Sequence, residues 1–175
     1  MDTENSEILE QIEKEARADS VPIIRREMQS FLRTLLMLKK PVHILEVGTA
    51  VGFSALLMSE YAPEECRITT IENYEKRIVE AKKNIELSGK GQIIELLEGD
   101  AIEVMKTLPS QQFDFVFMDA AKAQYIYFLP EVLRLMKKGA VLITDNVLQE
   151  GDLIESRFVV ERRDRTIHKL SLIHI

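Results

Sequence analysis

The distribution of apolar residues along the chain predicts five buried strands. Apolar stretches of strand length lie at His43–Val47, Arg67–Glu72, Ile93–Leu97, Phe113–Met118 and Ala140–Thr144. Phe113–Met118 alternates little between apolar and polar residues, which is typical of a strand buried on both faces. Between the strands, apolar positions recur with a helical period. This alternation indicates an α/β fold, with a parallel sheet covered by helices on both faces.

Helical periodicity also predicts two helices ahead of the first strand. The first has an apolar stripe from Ile8 to Ala16, and the second starts at Pro22 and stops at Lys39-Lys40-Pro41. The later helices are predicted to end at Tyr61, to span Glu75–Leu87, to open at Gly99-Asp100-Ala101 and end at Pro109, and to restart near Pro130 and run to Lys138. We expect a single domain over residues 1–175, with N-terminal helices in 1–40 and the sheet with its helices in 41–170.

The first strand runs into a glycine turn at Gly48-Thr-Ala-Val-Gly52. Glycine lets the backbone approach a ligand closely, and the following helix directs free N–H groups towards it. The spacing is not the dinucleotide fingerprint Gly-x-Gly-x-x-Gly, which disfavours NAD or FAD. An ordinary βα turn would look the same, but Glu72 ends the next strand where doubly wound sheets hold ribose hydroxyls. The two features together favour an adenosine-type cofactor.

Five acids fall at or just beyond predicted strand ends, and parallel strands would bring them to one edge of the sheet. They are Glu46, Glu72, Asp100, Asp119 and Asp145. Asp119 and Asp145 end consecutive strands, and with the carbonyl of Asn146 they form an all-oxygen set suited to Mg²⁺. Capping of the following helix or turn is the alternative role for each Asp.

The composition of the chain excludes fewer functions than these motifs do. The chain has 175 residues, is 46% apolar and carries a formal charge of -6, which disfavours nonspecific coating of nucleic acid. Cys66 is the only cysteine and reads as a small buried residue at a strand start. Since no stretch resembles a signal peptide or a membrane span, we expect a soluble cytoplasmic protein.

Five motifs in order resemble the cation-dependent, catechol-type O-methyltransferases, which use S-adenosylmethionine. They are Glu46-x-Gly48-x-x-x-Gly52 with Ser54, Thr70-Ile71-Glu72, Gly99-Asp100-Ala101, Asp119-Ala-Ala-Lys122-Ala-Gln-Tyr125 and Thr144-Asp145-Asn146-Val147-Leu148. The resemblance runs from about Val21 to Lys169 and implies a Rossmann-like class I methyltransferase fold. It is greatest to the bacterial branch that methylates 5-hydroxyuridine at the tRNA wobble position.

The resemblance implies roles for individual residues. Lys122 would take the proton of the substrate hydroxyl, and a cation at Asp119, Asp145 and Asn146 would favour the oxyanion. Asp119 would therefore act in catalysis and in metal binding, and would also lie beside the cofactor. The other cofactor contacts are Glu72 at the ribose, Asp100 and Ala101 at the adenine, Gly48 and Ser54 at the methionine end, Ile24 from the segment before the second helix, and Glu46 as part of the acidic surround of the sulfonium.

For the substrate, tRNA is favoured by a basic cluster after the metal-binding strand. It comprises Arg157, Arg162, Arg163, Arg165, His168 and Lys169. A solvated helix face is the alternative reading of this cluster, and a small catechol-like or caffeoyl-type phenol is the alternative substrate. The resemblance to a dimer-forming family favours pairing of the first helix with a second subunit over packing on its own domain.

The resembling family ends in an antiparallel strand pair that finishes the sheet. The tail Ser171–Ile175 does not match that ending, so we expect these strands to be missing. A missing strand pair would leave a sheet edge open. This adds a third reading, a fragment that binds S-adenosylmethionine without turning over.

Overall fold

The computed structural model describes residues 5–120 and 124–145 of the chain. Within these ranges eleven helices and strands follow one another. They are α1 (Glu7–Ala18), α2 (Arg26–Lys39), β1 (His43–Val47), α3 (Phe53–Tyr61), β2 (Arg67–Glu72), α4 (Glu75–Leu87), β3 (Ile94–Glu98), α5 (Ala101–Thr107), β4 (Phe113–Met118), α6 (Tyr125–Leu135) and β5 (Met136–Thr144).

The five strands form one parallel sheet in the order β3-β2-β1-β4-β5. The chain builds outwards from β1 to β3 on one side and then crosses to β4 and β5 on the other. The order therefore reverses between β1 and β4, where a crevice opens beyond the carboxyl ends of the strands. The predicted parallel α/β fold is confirmed, and this crevice is the expected place for a ligand.

Alternate residues of each strand supply two hydrophobic cores, one on each face of the sheet. Ile44 and Phe115 pack with α1, α2 and α3 on one face, and Leu45 and Val116 pack with α5 and α6 on the other. Residues adjacent in a strand point to opposite faces. Glu46 accordingly points to the face of the sheet that α3 covers.

The prediction was wrong for the start of α2 and for the α6–β5 junction. Helix α2 begins at Arg26, so Pro22 lies in an irregular segment before it. Helix α6 begins at Tyr125, contains Pro130 and ends at Leu135, and Lys138 belongs to β5 instead. The strand starts earlier than predicted because Met136 already pairs with Phe113, and a bulge that contains Gly139 separates this pair from the Phe115–Val141 pair.

The apolar stripe of α1 is buried within the chain. Leu9, Ile12 and Ala16 are at most 4% exposed and belong to the core cluster that includes α3. The face predicted to pair with a second subunit therefore packs on its own domain. No helix in the described residues is long and apolar enough to cross a membrane. The predicted absence of the C-terminal strands concerns residues outside the described ranges.

Candidate active site

A cleft of about 740 Å³ opens at the carboxyl ends of the strands. One wall is the irregular segment from Pro22 to Arg25, which we call the N-terminal wall. The other wall consists of residues at or after strand ends, which we call the strand-end wall; it includes Gly48, Glu72, Ala101, Asp119 and Asp145. Six of the predicted cofactor and metal residues, these five and Ile24, thus line one cleft.

Gly48 is required by the approach of a neighbouring strand end. Its φ is +100°, and a Cβ placed there would lie 2.2 Å from the carbonyl oxygen of Asp119. Gly52 is the N-cap of α3, with φ +83°, and its ideal Cβ would be 3.6 Å from Ala81 of α4. The absent side chain at Gly48 therefore lets the backbone of Asp119 reach the turn, in addition to leaving room for a ligand.

Glu72 is held by three backbone N–H groups. Its Oε2 accepts from Ala50 at 2.9 Å, and its Oε1 accepts from Asn73 at 2.9 Å and Tyr74 at 3.0 Å. These bonds fix the carboxylate at the cleft and tie it to the glycine turn. A carboxylate has about four acceptor sites, so Oε2 can accept one further hydrogen bond, which suits a ribose hydroxyl.

Glu46 lies beneath the cleft and does not line it. Its side chain is wholly buried on the α3 face; Oε2 accepts from the Thr70 hydroxyl at 2.5 Å, and Oε1 has no hydrogen-bond partner at normal distance. Burial raises the pKa of this carboxyl to about 8, with the Asp119 and Glu72 charges adding to the rise and the Ser54 and Thr70 hydroxyls opposing it. Its predicted contribution to the acidic surround of the cofactor stays a prediction.

Asp119 and Asp145 follow adjacent parallel strands at the same level. Met118 pairs with Thr144, and the N–H of Asp145 continues that ladder to the Met118 carbonyl at 3.1 Å. Adjacent strands are about 4.8 Å apart, so both carboxylates start within reach of one ion. Both residues line the cleft. Paired carboxylates suit a hard divalent cation, so this donor set fits the predicted metal.

Tyr125 joins the two strand ends that bear these acids. Its hydroxyl donates to the Met118 carbonyl at 3.1 Å and lies 3.4 Å from the Asp145 carbonyl, and the residue is 2% exposed. Burial, with the charges of Asp119 and Asp145, raises the pKa of this phenol. The Tyr125 side chain therefore links the end of β4 to Asp145. The sequence motif does not indicate this role.

At the predicted adenine end, two neighbouring residues behave differently. Ala101 lines the cleft. Asp100 caps α5, and its Oδ1 accepts from the N–H groups of Ile102 at 3.0 Å and Glu103 at 3.2 Å. Asp100 itself is not one of the described residues that line the cleft.

The N-terminal wall was largely missed by the sequence analysis. Only Ile24 was singled out there; Pro22, Ile23 and Arg25 line the cleft as well. Ile24 and Ser54 also share a small cavity of about 20 Å³ beneath the turn, with Asp119. Because Pro22 also fits a first helical turn, the sequence pattern predicts helix there and does not indicate that Pro22, Ile23 and Arg25 line a cleft.

Two predicted site residues, Lys122 and Asn146, lie outside the described residues, as does the basic cluster between Arg157 and Lys169. Their roles stay predictions.

Comparison with known proteins identifies the family. Residues 1–172 match the O-methyltransferase family. A catechol O-methyltransferase of Niastella koreensis is 32% identical over 128 residues, covering 71% of this chain and 58% of the relative. Another catechol O-methyltransferase, from Mycobacterium tuberculosis, is 32% identical over 111 residues, covering 63% of this chain and 50% of the relative. This chain thus spans little more than half the length of these relatives.

Solved structures agree with the fold. An O-methyltransferase from Bacillus cereus, in complex with SAH, superposes with a TM-score of 0.85 at 26% identity, covering 97% of this chain and 79% of the other. An SAH-bound methyltransferase from Podospora anserina gives a TM-score of 0.84 at 25% identity, covering 96% and 78%. Together, the family match and the strand-end site show that the chain belongs to the O-methyltransferase family.

Proposed function

We propose that the protein transfers a methyl group from S-adenosylmethionine to the hydroxyl of a small catechol-type phenol, with the help of a divalent cation. The observation that carries this proposal is the single cleft in which Glu72 and Gly48 adjoin Asp119 and Asp145. A cofactor site and a pair of carboxylates then share one space. Relatives named catechol O-methyltransferase, and neighbours bound to SAH, support the same reading.

In this proposal the strand-end wall does most of the positioning. Glu72 accepts a hydrogen bond from the ribose, and Gly48 and Ser54 receive the methionine end. Asp119 and Asp145, with Asn146, would hold the cation, which when bound lowers the pKa of a substrate hydroxyl. Alignment of oxygen, methyl carbon and sulfur supplies most of the rate.

Lys122 is the proposed proton acceptor. Its neutral amine takes the hydroxyl proton, the substrate oxygen bonds to the methyl carbon, and the carbon–sulfur bond breaks with its electron pair on sulfur. The products are the methyl ether and S-adenosylhomocysteine. A lysine near a divalent cation has its ammonium form disfavoured, which suits this role.

The charge of the cleft and the names of the relatives support a small phenol over tRNA. Three acids among the described residues line it, Glu72, Asp119 and Asp145, against one base, Arg25. A polyanion gains little from such a surface. The 5-hydroxyuridine reading, with its basic cluster outside the described residues, is therefore the second candidate. Pairing of two copies also stays a prediction.

The test combines calorimetric titration with S-adenosylmethionine and a transfer assay with a radiolabelled methyl donor. Catechol and unmethylated tRNA are offered in competition, with Mg²⁺ or with a chelator. We expect cofactor binding, and transfer to catechol that the chelator abolishes. Preferential labelling of tRNA would replace the small-phenol proposal, and binding without transfer to either substrate would favour the cofactor-binding fragment.

A further inference from the structure

The N-terminal wall lies outside the regular elements, between α1 and α2. Residues 21–25 form no helix or strand, yet Pro22 to Arg25 line the cleft. At its start, the N–H of Val21 donates to the Ala16 carbonyl of α1 at 2.8 Å. At its end, the carbonyl of Arg25 accepts from the N–H of Gln29 in α2 at 2.9 Å. The position of this wall therefore depends on how α1 and α2 hold its two ends.

Gln29 provides a hold at the α2 end. It lies in the first turns of α2 and is completely buried. Its Nε2 donates to the Ile24 carbonyl at 3.0 Å, and its Oε1 accepts from Asn5 Nδ2 at 3.1 Å. Both ends of the amide are therefore used, and one of them is bonded to the backbone of a residue that lines the cleft.

A buried polar network keeps this amide oriented. Asn5 also donates to Glu13 of α1 at 3.4 Å and accepts from Arg33 of α2. Arg33 in turn stacks over the Tyr61 ring of α3, with its guanidinium carbon 5.2 Å from the ring centroid. Asn5, Glu13 and Arg33 are each at most 7% exposed. The network thus connects α1, α2 and α3 and ends at the Ile24 carbonyl.

Polar groups at such a helix contact are costly unless all of them are paired, and apolar residues would pack there at no such cost. Retaining an amide at position 29 gives a directional bond that an apolar residue cannot make. That bond fixes the backbone of Ile24, a residue that lines the cleft.

We infer that Gln29 is a positioning residue for cofactor binding, acting through the Ile24 carbonyl to hold the N-terminal wall against the cofactor. This inference rests on the proposed function, since it assumes that S-adenosylmethionine occupies the cleft. Gln29 itself touches neither cofactor nor substrate. Its role is to keep the wall in its binding-competent position before the ligand arrives.

The test is Gln29→Met, which keeps the length of the side chain and removes its amide. Calorimetric titration with S-adenosylhomocysteine should give a Kd about tenfold higher than that of the unsubstituted chain, equivalent to about 1.4 kcal/mol. Hydrogen exchange at the amides of Ile23, Ile24 and Arg25 should become faster in the free protein. A purely structural role would lower Tm without moving either readout.

Leu36→Val is the matched control. Leu36 is completely buried on the same helix, seven residues further on, and does not line the cleft. This variant should lower Tm while leaving the Kd and the exchange of residues 23–25 unchanged. If Gln29→Met does not fold, Asn5→Ala removes one of the two bonds of Gln29 and should raise the Kd by a smaller factor.

The outcomes separate the two proposals. An unchanged Kd in Gln29→Met, or an equal rise in Leu36→Val, would overturn the role of Gln29 while leaving the proposed function intact. If the unsubstituted chain binds no S-adenosylhomocysteine, the proposed function and this inference fall together.

Discussion

The two walls of the cleft are held by different kinds of bond. The strand-end wall is placed by the sheet ladder: the N–H of Asp119 donates to Val47, and that of Asp145 donates to Met118. The N-terminal wall has no ladder: backbone bonds of Val21 and Arg25 tie its ends to α1 and α2, and the Gln29 side chain holds the Ile24 carbonyl between them. The acids thus sit on a wall supported by backbone bonds between strands, whereas the Ile24 carbonyl of the N-terminal wall is held by a side chain.

The largest expected effect is on the strand-end wall, in Gly48→Ala. The new Cβ would collide with the Asp119 carbonyl, and φ +100° is unfavourable for alanine. Displacing Asp119 by about 1 Å should lower methyl transfer about a hundredfold or more. Initial-rate assays with catechol measure this.

Gly89→Ala is the control for backbone strain. Gly89 has φ +67°, and a Cβ there meets nothing within 4 Å. It should lower stability by about 1–2 kcal/mol without changing transfer. Equal loss of activity in the two variants would show that the contact with Asp119 is irrelevant.

Asp145→Asn should separate the metal from the cofactor. The variant keeps the shape of the side chain but loses the charge that a cation requires, so Mg²⁺-dependent transfer should fall about a hundredfold. Cofactor affinity should stay within about twofold, because the cofactor contacts are elsewhere on the wall. Asp114→Asn, at the other end of β4, is the control. Full activity of Asp145→Asn in the presence of a chelator would exclude the metal role.

A smaller effect is expected for Glu72→Gln. The amide nitrogen cannot accept, so at least one backbone N–H or ribose hydroxyl loses its partner. Losing a hydrogen bond to a charged group should weaken S-adenosylmethionine binding about tenfold or more. Calorimetric titration measures this, with Glu75→Gln at the start of α4 for comparison. Unchanged affinity would place the ribose elsewhere.

Glu46→Gln should affect the pH dependence of stability more than binding. The pKa of Glu46 is about 8 in the folded chain and near its ordinary value of 4.5 when unfolded, so the folded state binds the proton more tightly. The contribution of this protonated carboxyl to the free energy of unfolding is therefore complete below about pH 4.5 and is lost as the pH rises towards 8. Urea unfolding from pH 5 to 9 should therefore show a flatter profile for the variant. Parallel profiles would contradict the raised pKa.

The strand-end wall could be predicted from sequence because local pattern determines it. The predicted bounds of β4 and α4 match the structure, since Phe113–Met118 is apolar except for Asp114 and Glu75–Leu87 ends before Ser88-Gly89. Once strands are parallel, acids that follow them must meet at one edge. This pattern alone was enough to predict the common location of Glu72, Asp119 and Asp145.

The N-terminal wall and the α6–β5 junction required tertiary contacts. Pro130 suggested a helix start, but α6 accommodates it in its interior. The sequence does not indicate the role of Gln29, because its partners Asn5 and Ile24 are brought to it by the packing of α1 against α2 and α3. The placement of Glu46 beneath the cleft likewise follows from which face of β1 it occupies, which the motif alone does not reveal.

The single thiol offers a way to time the opening of the sheet. Cys66 immediately precedes β2 and is 1% exposed, and burial raises the pKa of its thiol to about 12. At neutral pH it is therefore protonated and shielded, and alkylating reagents should modify it only in molecules that have opened there. Labelling rates with and without S-adenosylhomocysteine would show whether a ligand at the strand tips protects the opposite end of β2.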